Sequence, residues 1–289
     1  MNSERFYKML IKLGGVLIVV LLLLIFFSLL KESLPSIKKF GFSFLISKTW
    51  DPVFEKFGAL PFITGTLITS FLALIISLPF SISISIFFGE YYKDSNFTKI
   101  FESMVELFAG IPSVIYGIFG LFYLSPFIRT LQIKFSLPPT GVCILTASLL
   151  LSLMIIPFAT SIGKEVIKLI PEDLKEAGYS LGATRYEVIK NIVIPYAKSG
   201  IFGGILLSLG RAIGETMAVT MVIGNTTQLT KNILKPANTI ASLIANEFTE
   251  AVGKIYLSSL FELGFILFLI TLIINFIGNL IIKKQEIKV

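Results

Sequence analysis

Six long apolar runs separated by polar segments set the pattern of this 289-residue chain, at about 13–30, 62–88, 105–128, 141–161, 199–223 and 260–282. Each approaches or exceeds the ~20 residues that a helix needs to cross a bilayer core, and the second leaves room for tilt or extension. A helix satisfies its backbone polar groups internally, so the pattern predicts an all-α, polytopic membrane protein with six transmembrane helices in one domain, 1–289. The first run follows Arg5, Lys8 and Lys12, the charge order of a signal sequence. It is longer than a signal core, and SLLKESLPS after it offers no small-residue cleavage site, so a retained helix is expected. No repeat of 20 to 50 residues and no low-complexity tract interrupts the pattern.

The polar segments read as loops: 31–60, 89–102 with Glu90, Lys93, Asp94 and Lys99, 129–139, 163–195, 224–259 and the closing KKQEIKV. Trp50, the only tryptophan, reads as an interface anchor. Ser81, Ser83 and Ser85 are two apart and cannot share one helical face; backbone-bonded or helix-contact serines are expected. In the third run Gly110, Pro112, Gly117, Gly120 and Pro126 fit two roles for 111–120, a pathway wall or close packing.

Composition narrows the function classes. At 54% hydrophobic and 15% charged residues, the chain is too apolar for a soluble domain of its length. The net charge of +7 lies mostly in the connecting segments, which is topology signal and no basic groove for nucleic acid. With both termini inside, the inner segments carry 14 Lys/Arg and the outer ones 10, a mild positive-inside bias. Histidine is absent, which removes His general acid–base catalysis, His metal ligands and Ser-His-Asp chemistry. Cys143, the one cysteine, forms no disulfide within the chain and reads as a small buried hydrophobe. No G-x-x-x-x-G-K-[ST] occurs, so no ATP hydrolysis, catalytic residue, metal or cofactor is expected of this chain.

The 163–195 segment carries more than topology. Pro171, Glu172 and Asp173 suit a helix start, Leu174 to Leu181 a short helix, Gly182 a turn, and a second helix begins near Thr184 with Pro195 as its limit or kink. Leu174, Ala177, Tyr179 and Leu181 among charges suit insertion into a groove of another protein. The spacing Glu176-Ala177-Gly178, three residues, Gly182, nine residues, Ile192-Val193-Ile194-Pro195 resembles the EAA motif of ABC importer permeases. Gly178 departs at the third position and Ile194 stands for the usual Leu. FGALPFITGTLITS (57–70), GIPSVIYGIFG (110–120), GRAIGETMAVTMVIGN (210–225) and TIASLIANEF (239–248) resemble phosphate ABC transporter permeases of the PstC type, so the likeness extends over about 57–282.

The resemblance implies a type I ABC importer permease (MetI-like) fold, multi-pass in the cell inner membrane with cytoplasmic termini. Glu176, Ala177, Gly178, Gly182, Ile192 and Pro195 would belong to coupling helices seated on an ATPase. The implied partners are two ATPase subunits that bind the ATP, a sister permease of the PstA type and an extracytoplasmic phosphate-binding protein, working by alternating access. Sulfate or molybdate is the alternative cargo. An ATPase-independent channel or secondary transporter is the alternative class; it would need inverted halves with paired broken helices and leaves the EAA spacing without a reason.

A charge inside an apolar span is costly and points to function. In one continuous helix Arg211 and Glu215, four apart, would share a face and pair. Arg's forked donors match phosphate oxygens, and a Glu sharing the Arg would let the anion leave. The same pair also fits a structural salt bridge; the resemblance favours transport, with Thr216 as a further pathway candidate. Thr220, Ser208 and Asn225 fit helix contacts better. Arg211 would stand roughly 24 Å beyond Pro195 at the rise of a continuous helix, near mid-bilayer.

Overall fold

A computed structural model describes residues 2–93 and 95–285, without the side chains of 2, 3, 5, 106 and 285. The Arg5 side chain, Asp94 and the end of the KKQEIKV tail therefore lie outside the described residues. The helices are α1 (Asn2–Phe40), α2 (Ser43–Ile46), α3 (Leu60–Ile86), α4 (Asn96–Gly110), α5 (Ser113–Phe119), α6 (Ser125–Lys134), α7 (Ile144–Lys168), α8 (Glu172–Ser180), α9 (Arg185–Val188), α10 (Ile194–Gly214), α11 (Met217–Val222), α12 (Ile240–Glu247) and α13 (Lys254–Gln285). π-helical turns continue α3 through Phe87–Tyr91, join α5 to α6 at Gly120–Leu124, and join α9 to α10 at Ile189–Val193.

Among the described residues, six helical stretches are long and apolar enough to span a membrane: Phe6–Phe40, Leu60–Tyr91, Ser113–Lys134, Ile144–Lys168, Arg185–Gly214 and Lys254–Lys284. Their number matches the six apolar runs, while the bounds move: the fourth span runs on to Lys168, the sixth starts at Lys254, and the first, third and fifth change more. The first helix continues past Lys31 and Pro35 because Ser36 finds partners on α13: its N–H donates to Ser258 Oγ (3.0 Å), and its hydroxyl lies 3.1 Å from Ser259 Oγ. The third run is not one helix over 105–128. Ile111, extended before Pro112 as that ring demands, separates the amphipathic α4 from the span that starts at Ser113. The fifth span starts well before Ser199, at Arg185, and stops at Gly214.

The core is built on α7, whose apolar window is 67% buried, the largest share of any span. Without water to drive apolar surfaces together, membrane helices pack through small residues that let backbones approach. α3 supplies such a stripe in Ala73, Ser77, Ser81 and Ser85, all buried at four-residue spacing. Ser85 Oγ donates to Ser81 O and across to Thr160 O. A Cβ on Gly163 would stand 2.5 Å from Ser85 Oγ, so only glycine fits there. Ser83 is exposed on the other side, as the two-residue spacing requires.

The outer segments fold back on this core. The end of α11 and the loop 224–239 place carbonyls over the buried start of α7: Cys143 N–H donates to Val222 O, Ile144 N–H to Lys235 O and Leu145 N–H to Ile233 O. These are donors that a helix start leaves without intrahelical partners. Cys143 itself is fully buried. Trp50 is a correction: the expected interface anchor is buried instead. Its Nε1–H donates to Glu247 Oε2 at 2.8 Å, and its ring packs on Phe57, Phe62 and Tyr256. The cause is local, because the antiparallel bridge Asp51–Lys56 turns 47–59 back over α12 and the start of α13.

Candidate functional site

The fifth span breaks where the charged residues lie. Glu215 is extended (φ −69°, ψ 127°) after α10, and Thr216 begins the short α11. Glu215 Oε1 accepts the N–H of Ala218 at 3.3 Å, so its carboxylate serves a donor that the start of α11 leaves open. The expected Arg211–Glu215 pair is therefore corrected: no salt bridge joins them among the described residues, because the helix that would stack position 211 under 215 ends at Gly214. Arg211 instead lies exposed with its guanidinium carbon 4.2 Å from the centre of the Phe158 ring on α7. A cation over an aromatic face leaves its edge N–H donors free for an oxyanion.

The hydroxyls near the break are mostly committed. Thr216 Oγ1 donates to Gly214 O, Thr220 Oγ1 to Thr216 O and Ser208 Oγ to Gly204 O. Asn225 sits in the left-handed region (φ 48°) and bonds Thr220 O and the Ser242 hydroxyl. Gly117 and Gly120 pack without room for a Cβ, the first against Met221 and Ala218 and the second against Leu150 and Val222. That assigns these two glycines of 111–120 to close packing. Ile111, Ile115, Tyr116 and Phe119 line an apolar groove of about 430 Å³ with residues of α3, α4 and α7.

The 163–195 segment forms the two expected helices. Leu181 ends α8 and Gly182 turns the chain at φ +82°, with its N–H donating to Tyr179 O. α9 starts with a capping box in which the Thr184 side chain and backbone exchange hydrogen bonds with Glu187. Those bonds, from the Thr184 backbone first, hold the Glu187 carboxyl below the usual carboxylate range. Pro195 lacks the N–H that an α-helix would use, and the π-helical turn Ile189–Val193 just before it carries the helix through without a stop. Glu176, Ala177, Gly182 and Pro195 are exposed, while Gly178 is buried against Ile192 and Val188. Leu174, Tyr179 and Leu181 present exposed apolar surface.

Several charged contacts had no signal in the chain order. Lys175 on α8 reaches back to Glu90 at the end of α3 (2.7 Å), and Lys93 pairs with Glu172 (2.6 Å), holding the Glu172 carboxyl below its usual range. Glu102 on α4 bridges Lys164 (2.7 Å) and Lys168 (3.1 Å) of α7. Phe158 beneath Arg211 was equally invisible, since nothing local relates two helices 50 positions apart.

Residues 81–287 match the family described as binding-protein-dependent transport system inner membrane component. The chain is 46% identical to the phosphate transport system permease protein PstC of Mesorhizobium japonicum, over 96% of this chain and 86% of that protein. It is 42% identical to the PstC of Haemophilus influenzae, over 98% and 94%. An inward-facing structure of the MetNI methionine ABC transporter aligns with 80% of this chain and 95% of its own at a TM-score of 0.59; at 17% identity this likeness is one of fold.

Proposed function

We propose, for a chain that belongs to the binding-protein-dependent inner membrane transport components and among them to the PstC-type permeases, that it lines the path by which an ATP-driven importer brings inorganic phosphate into the cell. It is a polytopic inner membrane protein with the MetI-like importer permease fold, and it is the permease subunit, working with an ATPase and a binding protein. The finer assembly is part of the proposal: two ATPase copies, a sister permease of the PstA type, and a phosphate-binding protein on the outer face.

The observation that carries the site is Arg211, a cation that no carboxylate neutralises among the described residues, one turn before the helix break that ends the fifth span. By the helical rise it lies roughly 39 Å beyond Arg185, within one turn of the end of the span Arg185–Gly214. A permanent, forked cation there suits a dianionic oxyanion. Glu215, held at the start of α11, and Thr216 at the break itself shape the passage beside it. Glu176, Ala177, Gly178, Gly182, Ile192 and Pro195 form the ATPase-facing loop, supported by its exposed apolar residues.

Arg211→Gln should abolish uptake of labelled phosphate while the permease still assembles with its ATPase. Normal uptake by that variant would remove Arg211 from the pathway. Sulfate and molybdate in excess should leave phosphate uptake unchanged, and equal competition would shift the cargo to oxyanions in general.

A further inference from the structure

The loop 163–195 is tied covalently to α7 and α10, yet its most buried charged contact is with the end of α3, which is not its neighbour in the chain. Lys175 Nζ lies 2.7 Å from Glu90 Oε2, and their side chains are only 4% and 6% exposed. Arg185, the first residue of α9, donates from Nη2 to the Glu90 carbonyl at 2.8 Å and stacks over the Tyr91 ring at 4.0 Å. Lys93 and Glu172 add a more exposed pair beside them. Both helices of the loop thus grip the π-helical end of α3, Phe87–Tyr91.

Removing two charges from water is expensive, and such a pair adds less stability than an apolar replacement of equal volume would. What it supplies is fixed geometry, since a half-broken pair leaves a buried charge without a partner. At its other end α3 meets the outer loop: Thr66 Oγ1 accepts the N–H of Ile240, and Gly65 lies directly against the Asn238 carbonyl. That loop runs on from α11, the six-residue helix that starts at the break beside Arg211. One rod, Leu60–Tyr91, roughly 48 Å long at the helical rise, links the grip to the neighbourhood of the break.

We propose that Glu90, Lys175 and Arg185 form a strut that makes α3 and the helices α8 and α9 move as one body, giving the loop a second mechanical route to the anion path in parallel with α10. Glu90 and Lys175 are then positioning residues of the transport cycle. The proposal rests on the reading of 163–195 as the ATPase contact.

The test uses the full importer, with its ATPase, sister permease and binding protein, in proteoliposomes that report phosphate taken up per ATP hydrolysed. Lys93→Cys and Glu172→Cys, in a Cys143→Ala background, are bridged by a short bifunctional thiol reagent. A body that moves as one tolerates the bridge, so uptake per ATP should stay at the unbridged level; a bridge that stops uptake means the two parts separate, and overturns the strut. Glu90→Gln and Lys175→Met should each lower uptake per ATP by about tenfold, within the range that coupling residues command, while ATP hydrolysis continues. The exchange Glu90→Lys with Lys175→Glu should restore most of it. Single variants with unchanged uptake per ATP, or an exchange that restores nothing, would overturn the proposal, and the bridge decides alone if a single variant fails to assemble. Loss of the ATPase from the unsubstituted chain would instead remove the underlying reading of the loop.

Discussion

Arg211 keeps its charge over the Phe158 face, and the ring's part can be separated from the cation's. Phe158→Leu removes the platform without touching the charge. A cation–π contact at an exposed site is worth about 0.5–1 kcal/mol, so the KM for phosphate should rise about two- to fivefold with uptake still measurable. Two further residues test packing. A Cβ on Gly65 would overlap the Asn238 carbonyl oxygen, a backbone atom that cannot yield as a side chain would. Gly65→Ala should therefore cost about 1–3 kcal/mol, seen as a lowered unfolding temperature of the purified protein. Glu262 on α13 is buried, its Oε2 has no hydrogen-bond partner, and no Lys or Arg pairs with it among the described residues. A neutral amide of the same shape should serve there, so Glu262→Gln should leave the unfolding temperature unchanged.

At the scale of elements, the two glycines of the α8–α9 hairpin are glycines for different reasons. Gly182 has open space around it and a φ of +82°, so its need is conformational. Gly182→Ala should cost about 1–2 kcal/mol locally and misdirect α9, lowering both ATPase retention and uptake. Gly178 has an ordinary backbone, and a Cβ there would meet the end of the Ile192 side chain at 2.7 Å, which can rotate aside, and Val188 Cγ2 at 3.2 Å, which must give by a few tenths of an ångström. Gly178→Ala, which restores the residue usual at that place in the motif, should leave ATPase retention and uptake unchanged. α4 offers a pH test. The hydrogen bond from Lys164, helped by Lys168, holds the Glu102 carboxyl below the usual carboxylate range. A lowered carboxyl stabilises the fold above its unfolded pKa and loses that contribution as pH falls through the folded value. Hydrogen exchange of α4 amides should be level from pH 7 to about 5, after correction for intrinsic rates, and rise only below about 4.

For the whole molecule, the test is dependence on partners. This permease with the sister subunit proposed for it, reconstituted without the ATPase, should carry no phosphate down a gradient, and steady flux would mark a channel. Much of the architecture was legible in the chain itself. Six spans could be counted because the length of an apolar run is a local property that the bilayer reads directly. The α8–α9 hairpin was legible because Pro171, Gly182 and Thr184 act within a few residues of themselves. The break at Glu215 was not, because Arg211 and Glu215 have helical spacing. The alternative to a continuous helix is the Glu215 carboxylate accepting the N–H of Ala218, which the same spacing does not exclude. Trp50 failed for another reason: its environment comes from Glu247 and Tyr256, about 200 positions away.

Hydrophobic length, turn residues and motif spacing by themselves determined the class, the number of spans, the α8–α9 hairpin and the candidate cation, since each rests on chemistry within one turn or one bilayer thickness. Only the tertiary structure decided that Arg211 stands on Phe158 without a carboxylate and that Glu90 holds Lys175. Partners so far apart in the chain are chosen by which helices pack together, and that choice belongs to the whole fold.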